Sequence, residues 1–278
     1  MLLSIPCPDC TNEIPQSAER CPHCGRPGYC WNVIEADDTD ERQALESRYQ
    51  AAKADAVIRN ADGCLQDFEN AIAGSRVVIA RSEHDLLRLA TNTRQLYGTY
   101  YQQIEAGVKL PDGNKWDVLR QIADTVMFPN YKKDIRFGAL SLDGIGVVDY
   151  GTCSITLRNE LISHRASVFE ENTALFVERE GTKIPKGYRA TWNDRPKLGV
   201  AKLAAKIDST TDPDKYSGIL LSQGTASKEP EFIEVHIWGP MTVLTMEQVV
   251  VRPPKRKQRA TILKAIKIKL AKHGVRAS

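Results

Sequence analysis

Two close pairs of cysteines constrain this chain more than any other feature. Cys7-Pro-Asp-Cys10 is followed, after ten intervening residues, by Cys21-Pro-His-Cys24. Each pair offers two thiolates from one tight turn, and two such turns complete the tetrahedral sulfur set that Zn²⁺ prefers. About 25 residues cannot bury enough apolar surface to fold alone, so a metal would supply the folding energy. We therefore predict a structural zinc site in residues 1–30; the alternative is that the cysteines are free or disulfide-bonded.

A closed Cys₄ site leaves no coordination position for a substrate, so we expect the metal to be a scaffold. His23 lies within the second turn and is expected to be exposed rather than a ligand, and Gly25 can supply a left-handed turn after it. The two turns resemble those of the zinc ribbons at the ends of many bacterial proteins. Such ribbons bind DNA, RNA or protein, so the resemblance indicates a fold and leaves the function open.

Length and composition leave room for further domains beyond this module. The chain has 278 residues, of which 42% are hydrophobic and 26% charged, as in globular proteins. It has no apolar run near ~18 residues and no basic, apolar start typical of a signal peptide. Cys30, Cys64 and Cys153 are widely spaced and odd in number, which fits a reducing compartment. We expect a cytoplasmic protein without a membrane segment.

The net charge of +3 conceals a basic tail. Ten of the 38 Lys and Arg lie in residues 252–278, which hold no Asp or Glu, so the rest of the chain carries 28 basic against 35 acidic side chains. Such a tail suggests a polyanion or an acidic protein as partner. Lys255, Arg256, Lys257 and Arg259 would contact nucleic-acid phosphates in a salt-dependent way, together with the ribbon. The alternative is a solvated tail, or a helix docked on an acidic protein.

The remaining sequence predicts an α+β fold in four parts. After the ribbon (1–30) comes a helical middle region (31–134), in which 76–81 is either a short strand or more helix. Residues 135–252 alternate β-branched residues with glycines, as strands and turns do, and form a mixed β-rich domain. The tail (253–278) carries a basic helix with one apolar face.

Within the 31–134 region, the spacing of apolar residues predicts helices over 41–73, 95–106 and 115–127, with Ser82 capping another. In the later domain it predicts a helix over 201–207 and strands over 216–222 and 232–238. Common nucleotide and hydrolase motifs are absent, and the segment from Asp143 to Gly146 is a turn candidate rather than a phosphate loop.

Two segments of the β-rich domain carry candidate chemistry. In the strand around Glu234, a period of two places Glu234 and His236 on one face together with Phe232 and Trp238. This face could line a cleft, or it could be the solvent-facing half of a sheet. In residues 150–172, Arg158 or Arg165 could hold a pyrophosphate through paired N–H groups; the alternative is ordinary surface charge.

Together, a Tyr-Gly-strand-Arg block near 150–167 and a later Glu-x-His-x-x-Gly strand resemble the mono-ADP-ribosyltransferase-like domains of bacterial toxins, phage head proteins and phage-defence systems. The resemblance covers about 137–251 and implies a split β-sandwich that binds NAD⁺. It would make Glu234 the catalytic carboxylate and His236 the residue that aids the acceptor. Arg158 or Arg165, Ser167 and Phe169 would then contact NAD⁺. Glu231 and Glu234 are three residues apart, which departs from the family's Glu-x-Glu pair, and the Ser-Thr-Ser block is absent.

Two functions follow as expectations. The first is an NAD⁺-dependent ADP-ribosyltransferase-like effector, such as a toxin or antiviral defence protein held in check by an antitoxin, that modifies nucleic acid or protein. Cleavage of the NAD⁺ glycosidic bond needs a negative group beside a developing cation, which a carboxylate such as Glu234 could provide. The second is a non-enzymatic zinc-ribbon adaptor that binds nucleic acid.

Overall fold

The fold is a large, mostly antiparallel sheet with helices on both faces and a small cysteine-bearing hairpin at the N-terminal end of the chain. The structure is a computed structural model and describes residues 4–7, 10–15, 21–25, 30–105, 115–225, 228–252 and 257–278. The strands are β1 (Ser4–Pro6), β2 (Glu13–Pro15), β3 (Arg76–Arg81), β4 (Ile135–Ser141), β5 (Cys153–Leu157), β6 (Ala166–Phe169), β7 (Arg189–Thr191), β8 (Leu221–Ser222), β9 (Glu231–Phe232), β10 (Glu234–Trp238), β11 (Met246–Val251) and β12 (Arg276–Ala277). The α-helices are α1 (Trp31–Ala36), α2 (Thr39–Ile58), α3 (Asp62–Ala73), α4 (Glu83–Leu89), α5 (Tyr100–Glu105), α6 (Lys115–Met127), α7 (Asn159–Ile162), α8 (Thr173–Glu180), α9 (Arg195–Leu203), α10 (Tyr216–Leu220) and α11 (Lys257–Ala271).

Eight of these strands form one sheet in the order β12-β11-β5-β3-β4-β10-β6-β7. Its neighbours are antiparallel except for β11 and β12, which are parallel. β10 lies between β4 and β6, so its backbone N–H and C=O groups are paired on both sides. β1 pairs with β2, and β8 with β9, in separate two-stranded sheets.

The sheet crosses the predicted boundary between the middle region and the β-rich domain. The 76–81 segment is a strand, β3, which lies between β4 and β5, so residues 31–134 contribute a strand to the sheet as well as helices. Its centre, from Val77 to Ala80, is buried, as a strand covered on both faces requires. The four-part division of the chain stays a prediction.

The sheet separates two apolar clusters. The main cluster lies on the face covered by α2, α3 and α9, and it includes Val235 and Ile237 of β10. Here α9 packs closely on α3: a Cβ on Gly199 would lie 2.5 Å from the Ile72 Cδ1 atom, so a larger residue would require the Ile72 side chain to shift. The second cluster lies on the opposite face, where α1, α6 and α8 pack, and includes Phe169 and Trp238.

Several helix predictions are confirmed by the structure. α6 spans Lys115–Met127, and the Ser82 side chain caps α4 by accepting from the Asp85 backbone N–H at 3.1 Å. The 41–73 segment is helical but divides into α2 and α3 at Arg59–Ala61, with Asn60 at a φ of 54°.

Other sequence predictions were wrong in type or in length. The strand predicted over 216–222 is the helix α10 followed by the two-residue β8. Asp212 accepts from the Asp214 backbone N–H at 2.9 Å and begins a 3₁₀ turn at Pro213 that continues into α10. The helix predicted from 95 is shorter and begins at Tyr100, and the one predicted over 201–207 begins six residues earlier, at Arg195.

The tail residues 257–271 form the helix α11, as predicted, and its apolar face, Leu263, Ile266 and Leu270, joins the main cluster. Lys255 and Arg256 lie outside the described residues, whereas Lys257 and Arg259 lie in the first turn of α11. Among the described helices, none has both the length and the apolar stretch that crossing a bilayer requires. The fold is thus mixed α and β around a mostly antiparallel sheet; the split β-sandwich is not confirmed.

Candidate functional site

The four cysteines of the N-terminal pairs lie within one small cluster. Their sulfur atoms are all within 4.8 Å of one another, with Cys7 Sγ to Cys24 Sγ at 3.6 Å and Cys10 Sγ to Cys21 Sγ at 3.5 Å. Four sulfurs at 2.3 Å from a tetrahedral Zn²⁺ would be about 3.8 Å apart. These cysteines could therefore bind a metal ion such as zinc.

Local backbone bonds bring the cysteine pairs into this arrangement. The Cys7 N–H donates to the Asn12 carbonyl at 2.8 Å, and the Thr11 N–H donates to the Cys7 carbonyl at 2.6 Å, which closes the first turn. In the second turn the Gly25 N–H donates to the Cys21 carbonyl at 2.9 Å, and Gly25 has a φ of +74°. That is the left-handed conformation expected of it. His23 is exposed, as predicted.

A second candidate site is a cavity of about 240 Å³, the inner cavity, between the sheet and the helices α5 and α6. Its wall combines carboxylates, guanidinium groups and aromatic rings from β3, β4, β10 and the helices. The wall residues used below are Arg81, Tyr97, Tyr101, Arg120, Asp124, Arg136, Phe137, Tyr150, Phe232 and Glu234.

Glu234 is the most constrained group of the inner cavity and is only 2% exposed. Its Oε1 accepts from Arg120 Nη2 at 3.0 Å. Its Oε2 accepts from the Thr173 backbone N–H at 3.0 Å and from the Thr173 hydroxyl at 2.6 Å. Thr173 is the first residue of α8, whose N-cap is Asn172. The carboxylate therefore also lies at the positive end of a helix.

These donors decide the ionisation of Glu234. Burial would raise the pKa of this carboxyl, but the Arg120 charge and the bonds from His236 and Thr173 outweigh it and lower the pKa to about 2. Burial would likewise lower the pKa of Arg120, and the charges of Glu234 and Asp124 instead raise it above its ordinary value. At neutral pH the two groups form a buried ion pair.

His236 lies beside Glu234 and is neutral at pH 7. Burial lowers its pKa below the ordinary value, against the opposing effect of Glu234. Its Nε2 is 3.2 Å from Glu234 Oε2, so a neutral imidazole protonated at Nε2 donates to the carboxylate. Phe128 and Phe137 contact the ring edge-on, and Phe169 stacks on it. His236 thus supports Glu234 from within an apolar enclosure.

Asp124 is a second carboxyl in the inner cavity, also almost fully buried at 1% exposed. Its Oδ2 accepts from the Tyr101 hydroxyl at 3.0 Å, and its Oδ1 lies 3.4 Å from Arg120 Nη1. Burial raises the pKa of Asp124 to about 6, although Arg120 and Tyr101 act in the opposite direction. Two carboxyls of one cavity therefore have pKa values well apart, an arrangement typical of acid–base pairs.

The inner cavity adjoins a wider cleft of about 560 Å³, the outer cleft, which is lined by α4 and the 149–152 segment. Arg81, Tyr97 and Tyr150 line both spaces. The Arg81 guanidinium lies over the Tyr97 ring at 4.4 Å, and within the described residues no carboxylate forms an ion pair with it. The two spaces together fall within the size range of small-molecule sites.

The sequence-predicted site residues divide into two groups. Strand pairing sets Ser167 opposite His236, and Phe169 opposite Glu234, so these four share one face of the sheet. Both faces of β10 are buried, and the solvent-facing alternative for its Glu234 face is therefore wrong.

The two predicted arginines lie elsewhere. Arg165 is buried and donates to the backbone carbonyls of Leu161, Trp238 and Pro240. Its guanidinium group is therefore used to hold the backbone. Arg158 is at the end of β5, and its Nη2 donates to the Gly274 carbonyl at 3.4 Å. β5 is separated from β10 by two strands, so Arg158 is not brought to Glu234.

Sequence reasoning missed the residues that complete the inner cavity. Arg120 and Asp124 come from α6 and Tyr101 from α5. A faint signal existed: Arg120 and Asp124 are four residues apart, so they share one face of the predicted helix. Tyr97, which precedes α5, also lines the inner cavity.

Comparison with known proteins adds no family to this description. A scan against protein-family models finds no match to the chain, and a search of curated proteins likewise finds none.

Proposed function

We propose that this protein is an enzyme that cleaves the glycosidic bond of NAD⁺ and transfers ADP-ribose to a nucleic acid or protein, with Glu234 as the catalytic carboxylate. The observation that carries the proposal is the ionised Glu234 carboxylate in the wall of the inner cavity, held by Arg120 and Thr173. A fixed negative group of this kind stabilises the positive charge that develops on the ribose as nicotinamide leaves.

The remaining acceptor capacity of Glu234 supports this role. A carboxylate oxygen has two lone pairs, and Oε1 accepts a single bond among the described groups, the one from Arg120. Oε1 can therefore also accept from a ribose hydroxyl. Oε2 is fully used by Thr173 and His236, which fix the orientation of the group.

The surroundings of Glu234 suit the other parts of NAD⁺. Phe137 and Phe232 present aromatic surface for nicotinamide within the inner cavity. Arg81, at the boundary with the outer cleft, can pair with a diphosphate. In this assignment Arg81 takes the role that was predicted for Arg158 or Arg165.

The test is release of nicotinamide and transfer of label from labelled NAD⁺, measured with RNA, single-stranded DNA, duplex DNA and cell lysate as acceptors. We expect Glu234→Gln to lower the rate by at least ~100-fold, since removing one electrostatic group commonly costs that much. Glu231→Gln is the matched control, because Glu231 is ion-paired with Lys206 outside the inner cavity.

Folding must be separated from catalysis in this test. Glu234→Gln leaves Arg120 with a weaker partner. Glu234→Asp is therefore measured beside it, because Asp keeps the negative charge on a side chain that is one methylene group shorter. Circular dichroism establishes which variants are folded. A folded Glu234→Asp or Glu234→Gln protein with the full wild-type rate would contradict the proposal, as would a wild-type protein without activity. Toxicity on expression that disappears with Glu234→Gln would support an effector role, held in check in the cell by an antitoxin.

The cysteine cluster and the tail support a second, non-enzymatic candidate, binding to nucleic acid. We propose that the cluster holds a structural Zn²⁺, and that the ribbon and the basic tail contact phosphates. The supporting observation is that Lys264, Lys267 and Lys272 of the tail are exposed while the apolar face of α11 is buried. Binding of single-stranded or duplex DNA that weakens steeply with salt, and further on neutralising these lysines, would favour it. Salt-independent binding, or none, would exclude it.

A further inference from the structure

We propose that Asp124 is the general base of the inner cavity and removes the proton from the acceptor that attacks the ribose. This inference rests on the proposed function and adds to it a residue from a different part of the chain, the helix α6.

The two carboxyls of the inner cavity are held in contrasting ways. Glu234 accepts bonds from Arg120, from both donors of Thr173 and from His236. Asp124 accepts one good bond, from the Tyr101 hydroxyl, and one long contact from Arg120. A carboxylate saturated with donors cannot take up a proton readily, whereas one with free lone pairs can. The proton-accepting group is therefore Asp124.

Arg120 places the two carboxyls side by side. Its Nη2 contacts Glu234 and its Nη1 contacts Asp124, so one guanidinium joins both groups on the wall of the same cavity. Other charged or titratable groups that face this space are Tyr97, Tyr101, Tyr150, Arg81 and Arg136. The raised pKa of Asp124, about 6, makes it a stronger base than an ordinary carboxylate and leaves it ionised at pH 7.

His236 does not serve as this base. Its Nε2 is occupied by Glu234 Oε2, and three phenylalanine rings enclose the imidazole. His236 is also not part of the cavity wall. It is a positioning residue for Glu234.

The step balances without a further reactant. The bond between the ribose C1′ and the nicotinamide nitrogen breaks, and its electron pair leaves with nicotinamide, which becomes neutral. A lone pair of the acceptor, a hydroxyl, an amine or water, forms the new bond to C1′. The acceptor's proton moves to an Asp124 carboxylate oxygen and is then released to solvent.

The test is the pH dependence of nicotinamide release by the full chain at saturating NAD⁺ between pH 5 and 8.5. We expect the wild-type rate to rise through pH ~6 and then level off, as deprotonation of the base requires. Asp124→Asn should be slower by ~100-fold or more at pH 7.5, with no rise near pH 6. Asp67→Asn is the control, since Asp67 is an exposed carboxylate on the helix α3.

A purely structural role for Asp124 is separated by chemical rescue. Sodium formate should restore part of the rate of Asp124→Ala in a concentration-dependent way, because formate can replace the missing base, whereas it cannot repair a misfolded chain. An Asp124→Asn protein with the wild-type pH profile would overturn the inference, and so would an Asp124→Ala protein that formate does not rescue. If wild-type protein releases no nicotinamide at any pH, the proposed function fails first and this inference with it.

Discussion

The cysteine cluster and the inner cavity are built in opposite ways. The cluster draws its four sulfurs from 18 consecutive positions, Cys7 to Cys24. Among the described residues, the buried Cys7 and Cys21 form with Cys10 a small apolar cluster separate from the main one. The inner cavity draws its two carboxyl groups from α6 and β10, which are more than a hundred residues apart in the chain. The first is held by short backbone turns around a metal-ligating set, and the second by the large apolar core behind it. Local spacing therefore encodes one site, and the complete fold creates the other.

The largest effect should come from removing one sulfur of the cluster. Cys21→Ser deletes a ligand, so metal content should fall from about one ion per chain to near zero, while unfolding of the sheet is unchanged. Metal analysis together with thermal unfolding checks this. Cys64→Ser, outside the cluster and half-buried, is the control and should keep its metal. Loss of the sheet's cooperative transition with Cys21→Ser would show that the two regions are not independent.

The converse change is a large-to-small substitution in the apolar core behind the inner cavity. Ile237 of β10 is fully buried in the main cluster, so Ile237→Ala should lower the free energy of unfolding by about 2–5 kcal/mol. Metal content should not change. Ile268→Ala, at a side chain 52% exposed on α11, should cost less than about 0.5 kcal/mol. Denaturant titrations measure the free energy of unfolding of both variants. Equal losses of stability for Ile237→Ala and Ile268→Ala would contradict the role given to the buried core.

A pH-dependent change of intermediate size is expected from Asp124. Its pKa in the folded protein, about 6, is above the ordinary 3.8, so the folded state holds this proton more tightly than the unfolded chain. The associated stability is complete below pH ~3.8 and is lost as the pH rises through 6. The free energy of unfolding of wild type minus that of Asp124→Asn should therefore fall between pH 4 and 6 and be constant above pH ~7. A difference that is flat across this range would show that Asp124 is not buried as described.

The smallest effect should come from a surface ion pair. Lys206 Nζ lies 2.8 Å from Glu231 Oε2, and the Lys206 side chain is 41% exposed. Such pairs contribute about 0–1 kcal/mol because water and salt screen them. Lys206→Ala should change stability by no more than that, and added salt should shrink the difference between variant and wild type. A loss as large as that of Ile237→Ala would mean that burial is not what holds the sheet together.

The sequence predicted well where the controlling interactions are local. The cysteine spacing, the Ser82 cap and the α6 bounds are short-range patterns, and period-two alternation assigned Glu234 and His236 to one face of β10. It failed where distant segments meet. Nothing near Arg120 in the chain indicates that it would contact Glu234, because strand order and helix packing bring them together. The segment 216–222 has the apolar residues of a strand, but the capped turn before it favours a helix.

The order of strands also determines how the sheet meets its surroundings. Its two outer strands are β12 and β7, of two and three residues, and each carries an arginine, Arg276 and Arg189. Unpaired strand edges are where copies of a protein add to one another and aggregate, and short, charged edges resist this. The longer inner strands, with their apolar side chains, are thus separated from both edges of the sheet by these short outer strands. We expect concentrated solutions of this protein to resist growth of fibres by edge-to-edge addition of its main sheet.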